Sequence, residues 1–136
     1  MFGMEHNDID IAETSKTSVN AFMEKIAREL KSGLYSVLIL VSMSYLKRPT
    51  YGYEIIKTID ALSAGAFRLK DATVYPVLKD FEKRGLVKGF WGETEKGPVR
   101  RYYELTEKGI EVLSQAADEL ERESSAANRV IGAWRK

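Results

Sequence analysis

The sequence predicts a mainly α-helical fold that carries one small antiparallel β-hairpin. Apolar residues recur at helical spacing over most of the 136-residue chain. Between Leu86 and Leu105 that spacing gives way to alternation, broken by the turn-rich linker Gly92–Pro98. A helical pattern resumes directly after Thr106. Hydrophobic content of 44% is sufficient for a core. The absence of cysteine excludes a disulfide framework and a thiolate metal site, and fits a cytoplasmic protein. Ser36, Ser42 and Ser44 interrupt the longest apolar run, Leu34–Leu46, which is too short to span a bilayer. The opening residues MFGMEHNDID are polar and acidic, so neither a secretory signal nor an anchor is expected there.

Residues 1–14 show no periodicity and are expected to form a flexible tail. Val19, Phe22, Met23, Ile26 and Leu30 then share one face, predicting a helix over 15–32. Ser15 or Ser18 would cap it, and Lys31-Ser32-Gly33 would stop it. Such a helix cannot bury its face alone and must dock on the body or on a second copy. Leu34–Leu46 is apolar nearly all round, as a central helix should be.

After KRPT, Thr50 is expected to cap a helix whose Ile55, Ile56, Ile59 and Leu62 face the core, with Tyr51 and Tyr53 packing beside them. Ala66–Leu69 is a candidate short strand that would pair with the hairpin. A third pattern starts near Asp71, whose carboxylate would cap it, with Val74, Val77, Leu78 and Phe81 inward. Ala72, Tyr75, Lys79 and Lys83 lie on its other side. Pro76 fits only near the start of that helix, and Gly85 stands where its end is expected.

LVKGFW and VRRYYEL are the strands. Val99, Arg101, Tyr103 and Leu105 share one face of the second, while Arg100, Tyr102 and Glu104 share the other. Thr106 would cap a final helix with a heptad seam of Leu113, Ala117, Leu120, Ser124, Ala127, Ile131 and Trp134. The expected organisation is therefore a tail over 1–14, a helix over 15–32, a helix-and-hairpin unit over 33–106 and a terminal helix over 107–136.

Charge then suggests what the middle unit binds. The whole chain carries only +1, but Arg68–Arg101 holds nine Lys/Arg against five Asp/Glu, and the segments on either side are net acidic. That focus is the footprint of nucleic-acid binding. Lys70, Thr73, Tyr75 and Lys79 offer hydroxyls and ammonium groups on the outer side of the third helix, whose N-terminus also attracts phosphate. Lys96, Arg100 and Arg101 at and beside the hairpin tip would clamp the flanking backbone, and the Tyr51 hydroxyl could add a phosphate contact. No Arg or Asn cluster marks the outer face, so direct base readout is expected to be limited. The plainer readings are that Lys79 and Lys83 are a solvated face and that Tyr75 packs the turn. With one histidine, His6, and no spaced His or carboxylate cluster, no metal, cofactor or catalytic role is expected.

Three blocks occur in order: YGYEI at Tyr51–Ile55, TVYPVLKDFEKRGLV at Thr73–Val87, and GPVRRYYELTEKG at Gly97–Gly109. In series they resemble the PadR family of winged helix-turn-helix transcription regulators over Leu34–Leu120, and specifically the subgroup with a single C-terminal helix. The resemblance implies a homodimer on a pseudo-palindromic operator, usually acting as a repressor. It implies that the terminal helices form the dimer, which here would use Phe22 and Ile26 with Leu113, Ala117, Leu120, Ile131 and Trp134. Some members of the family sense phenolic acids or multidrug cations near the dimer interface. Trp91 and Trp134 are the candidates for an aromatic effector, against the plainer roles of hairpin packing and dimer anchor. The chain departs from the family at Ala72, where many members have glycine, and in a longer extension before Gly33. The alternative function is a winged helix used for protein–protein contact without DNA.

Overall fold

The helical and alternating patterns are realised as α1 (Phe2–Leu46), α2 (Gly52–Leu62), α3 (Asp71–Lys83), β1 (Val87–Thr94), β2 (Gly97–Leu105) and α4 (Glu107–Arg135). The structure, a computed structural model, describes the backbone of residues 2–94 and 97–136 and the side chains of 15–94, 97 and 99–136. The chain divides into two units, one ending at Leu34 and the other running over Tyr35–Lys136. Among the described residues no helix is long and apolar enough to cross a membrane.

In the first unit the sequence misleads. Neither a tail over 1–14 nor a stop at Gly33 is seen: α1 is one helix from Phe2 to Leu46, so Ser15 and Ser18 cap nothing. A helix propagates cheaply once nucleated, and a lone glycine only weakens it. Gly33 has open space where a Cβ would sit and is not among the residues with positive φ. Val19, Phe22, Met23 and Leu30 are exposed, and Ile26 is half-buried.

The second unit holds the core. Ile39, Leu40 and Met43 of α1 meet Ile55 and Ile59 of α2, Val74, Leu78 and Phe81 of α3, and Leu86, Val87 and Tyr103 of the hairpin. The inward stripe of α3 is therefore as expected, with Val77 packed at its margin. Tyr53 and Leu62, expected inside, are exposed. They are the second and last residues of an 11-residue helix that buries Gly52, Ile55 and Ile59 instead.

One glycine sets the turn that ends α3, and a second lets α4 pack over it. At its C-terminus Gly85 takes φ 77°, its N–H reaches the Glu82 carbonyl at 3.1 Å, and Leu86 N–H reaches that of Phe81 at 2.9 Å. These paired bonds need the left-handed conformation that glycine adopts freely. The start of α4 closes over this turn. Thr106 caps α4 by accepting from Gly109 N–H at 3.0 Å, and its hydroxyl donates to the Gly85 carbonyl at 2.7 Å. Lys108 Nζ donates to the Arg84 carbonyl at 2.8 Å. Gly109 is buried because a Cβ there would overlap the Leu86 carbonyl oxygen.

The hairpin pairs Val87 with Leu105, Phe90 with Tyr102 and Trp91 with Arg101, and is irregular between Gly92 and Thr94. Its third rung differs from expectation. Ala66–Leu69 forms no strand; Thr50 instead bridges Tyr103, with N–O distances of 2.9 and 2.7 Å. Buried in that bridge, Thr50 does not cap α2, whose first flanking residue is Tyr51. Asp71 likewise is the first residue of α3 and makes no capping bond, Lys70 being the flanking residue.

Gly109→Ala is expected to destabilise the fold by about 1–3 kcal/mol through overpacking. Gly33→Ala should instead raise helicity and stabilise α1 by about 0.5–1 kcal/mol. Urea melts followed by circular dichroism check both, and a destabilising Gly33→Ala would restore the helix stop that the sequence suggests.

Candidate nucleic-acid interface

Three surfaces of the second unit carry the residues singled out in the sequence: the N-terminus of α2, the outer side of α3 and the hairpin. What matters is how tightly the fold fixes each relative to the others.

The start of α2 is held from behind. Arg48 grips Glu54 with two hydrogen bonds of 2.7 Å, and the Thr50 hydroxyl donates to the same carboxylate at 2.5 Å. The hydrogen bonds from Arg48 hold the Glu54 carboxyl below the usual carboxylate range, against the opposing effect of burial; the Thr50 bond and the charges of Arg48 and Arg100 add to the lowering. Tyr51, the residue flanking α2, makes no side-chain capping bond to the first-turn N–H groups. Those N–H groups are the kind that donate to a phosphate oxygen.

Tyr51 sits at that turn, half-buried, and joins it to the hairpin. Its ring meets Tyr102 edge-on at 5.7 Å, and Tyr102 stacks on Phe90 at 5.9 Å. The Arg100 guanidinium lies over the Tyr51 ring at 4.3 Å. Arg100 is thus exposed yet oriented, its charge beside the open end of α2. Gly92 has no side chain because a Cβ would come within 2.8 Å of the Tyr102 ring.

The outer side of α3 presents Ala72, Tyr75, Lys79 and Lys83 to solvent, with Thr73 half-buried and Lys70 exposed just before the helix. Tyr75 does not project freely. A Cβ on Gly52 would lie 2.9 Å from its ring and 3.0 Å from its hydroxyl, so the tyrosine lies across the first residue of α2. The packing reading of Tyr75 and a surface role coexist: the residue is 42% exposed.

Arg101 is placed differently from the expectation that it lines DNA beside Arg100. It alternates to the opposite face of β2 and donates to Glu82 of α3 at 2.7 Å. Lys96 lies outside the described residues.

The remaining candidates are dispersed. Leu113 packs on the chain's own core, and Ala117 and Leu120 are half-buried, so the upper part of the heptad seam is partly covered within the chain. Ile131 and Trp134 are exposed, Trp134 at 77%. Trp91 is 67% exposed on the hairpin. An apolar cleft of about 300 Å³ is lined by Leu38, Val41, Ile59, Leu62 and Phe67, without either tryptophan. Among the described residues no group of His, Asp or Glu is arranged to hold a metal. Sequence reasoning missed Arg48, Glu54 and Glu82. An Arg six residues before a Glu across a Pro, with a Thr between, was the available signal for the first pair.

Comparison with known proteins points the same way. The model of the transcriptional regulator PadR-like family matches residues 39–115. An uncharacterized protein of Lysinibacillus sphaericus is 34% identical over 74 residues, which are 54% of this chain and 68% of that protein. A transcriptional regulator from Clostridium thermocellum superposes with a TM-score of 0.65 at 30% identity, over 74% of this chain and 96% of that one. A PadR-like transcriptional regulator from Bacillus cereus gives 0.63 at 25% identity, over 76% and 96%. A PadR family transcription regulator from Clostridium difficile gives 0.56 at 30% identity, over 70% and 97%.

Because the Glu54 carboxyl is held below its ordinary range, its contribution to stability is full above that range and is lost as pH falls below about 4. Glu54→Gln should therefore lower the urea midpoint at pH 7. The gap from the parent protein should close on acidification, as melts across pH 3–7 will show.

Proposed function

We propose that this chain, which belongs to the PadR-like family of transcriptional regulators, binds a pseudo-palindromic DNA operator as a homodimer and represses transcription from it in the cytoplasm. The observation that carries this reading is the convergence of an uncapped α2 N-terminus, an oriented Arg100 and the outer side of α3 within the second unit. Tyr51, Lys70, Thr73, Tyr75, Lys79 and Arg100 are the proposed contacts, with Lys96 at the hairpin tip. The helix would enter the major groove while the hairpin meets the adjacent backbone.

Most of these groups suit phosphate, and few can discriminate base edges. Selectivity must then come largely from two copies held at a fixed spacing. The exposed Phe22 with Ile26 on α1, and Ile131 with Trp134 on α4, support such pairing, because large apolar groups at helical spacing are otherwise left in water. An aromatic effector would stack on the exposed Trp134 or Trp91 rings. A fluorescence-quenching screen paired with operator titration checks that part.

The test is selection of bound sequences from random duplexes. Two half-sites about one helical turn apart are expected; enrichment of no sequence would argue for the protein-contact alternative. Arg100→Met should weaken selected and unrelated duplexes by the same factor and reduce the log–log salt slope by about 0.9, as loss of one phosphate contact requires.

A further inference from the structure

One ion pair in the second unit is better built than a surface contact needs. Arg101 Nη2 lies 2.7 Å from Glu82 Oε2, with side chains only 29% and 34% exposed. The two residues are far apart in sequence and link the last turn of α3 to the middle of β2. The pair crosses β1 at Gly89, where an added Cβ would stand 2.5 Å from the Glu82 oxygen and 2.6 Å from the Arg101 nitrogen. Trp91, cross-strand from Arg101, places its ring 5.5 Å from the guanidinium. Tyr103 flanks it at 5.8 Å. A glycine that vacates the path and an otherwise unexplained exposed tryptophan both acquire a purpose from this pair.

The neighbouring arginine is used oppositely. Arg100 faces the other side of β2, over Tyr51 beside the open turn of α2. The strand's alternation thus sends two adjacent arginines opposite ways, one toward solvent and one toward a carboxylate on α3.

We propose that Arg101 is a positioning residue rather than a DNA contact, and that Glu82, Gly89 and Trp91 serve the same strut. This rests on the DNA-binding reading above. The strut fixes the hairpin against the C-terminal turn of α3, so that Arg100 reaches the backbone at the correct distance from the groove that α3 enters. Breaking it from either end has the same effect: the hairpin loses its angle, and affinity for the selected site falls.

The two roles for Arg101 predict different signatures. A phosphate contact releases counterions, whereas a strut between protein groups does not. In the strut role, Arg101→Met and Glu82→Gln each lower affinity for the selected duplex by a similar factor, on the order of tenfold, and the double variant is no worse than either single one. The salt slope stays at the parent value in all three. The exchanged pair Glu82→Arg/Arg101→Glu recovers most of what Arg101→Glu alone loses. Anisotropy titrations of the full chain over a potassium chloride series read these quantities, with circular dichroism confirming that each variant folds. The proposal is overturned if Arg101→Met reduces the slope by about 0.9 while Glu82→Gln leaves affinity unchanged or higher. A DNA-free arm separates this from the premise. In a Trp134→Phe background, acrylamide quenching of Trp91 should change equally in Glu82→Gln and Arg101→Met. A Trp91 signal indifferent to Glu82 also overturns the strut. Parent protein that selects no duplex sinks the DNA-binding reading alone, and the Trp91 signal then still decides the strut.

Discussion

Two backbone hydrogen bonds between Thr50 and Tyr103 are the constraint on which the rest of the second unit depends. A two-stranded hairpin is marginal by itself in water. Joining its second strand to Thr50, two residues before α2, turns it into a fixed appendage of the helical core. The buried Thr50 hydroxyl must then find a partner, and it donates to Glu54, which Arg48 also grips. One backbone bridge thereby determines where the hairpin lies, how α2 begins and which carboxylate is neutralised. The base of the hairpin is fastened a second time by a different device, the closure of Thr106, Lys108 and Gly109 over the turn that ends α3.

Beyond these fastenings, toward its tip, the hairpin carries two side-chain ladders with different chemistry. One face stacks Phe90, Tyr102 and Tyr51 and leaves Arg100 over the outermost ring. The other spends Arg101 on Glu82. A charge count over Arg68–Arg101 therefore overstates the positive field available to a polyanion. An arginine in an internal ion pair contributes little beyond its partner, while one held on an aromatic face keeps its charge outward.

Features set by local chemistry were legible in the sequence. The inward stripe on α3, the Gly85 stop and the Thr106 cap follow from spacing and from which residues tolerate a helix end. Features set by a distant partner were not. Thr50 looks like a cap because its bridge to Tyr103 lies 53 residues away along the chain. Tyr53 looks like core because hydropathy does not reveal that α2 buries the face of Gly52, Ile55 and Ile59. Gly33 looks like a stop because a glycine symbol is the same whether φ is negative or positive. In the site, alternation sets Arg100 and Arg101 on opposite faces of β2, but it does not reveal that Glu82 meets one and the Tyr51 ring the other. What pairs two copies is legible as exposed apolar residues on α1 and α4, but periodicity alone does not choose their partners.

The contact between Tyr75 and Gly52 has a consequence for how such a protein could be retargeted. Tyr75 belongs at once to the surface that would meet DNA and to the packing of α3 on α2, because it occupies the volume a side chain at 52 would need. Grafting a foreign outer face onto α3 would replace Tyr75 and leave an unfilled hollow above the first turn of α2. Restoring a larger residue at 52 without removing the ring would push the two helices apart. The two positions must change together, so new sequence preferences are most accessible through Thr73, Lys79 and Lys83, whose replacement leaves the angle between the helices intact.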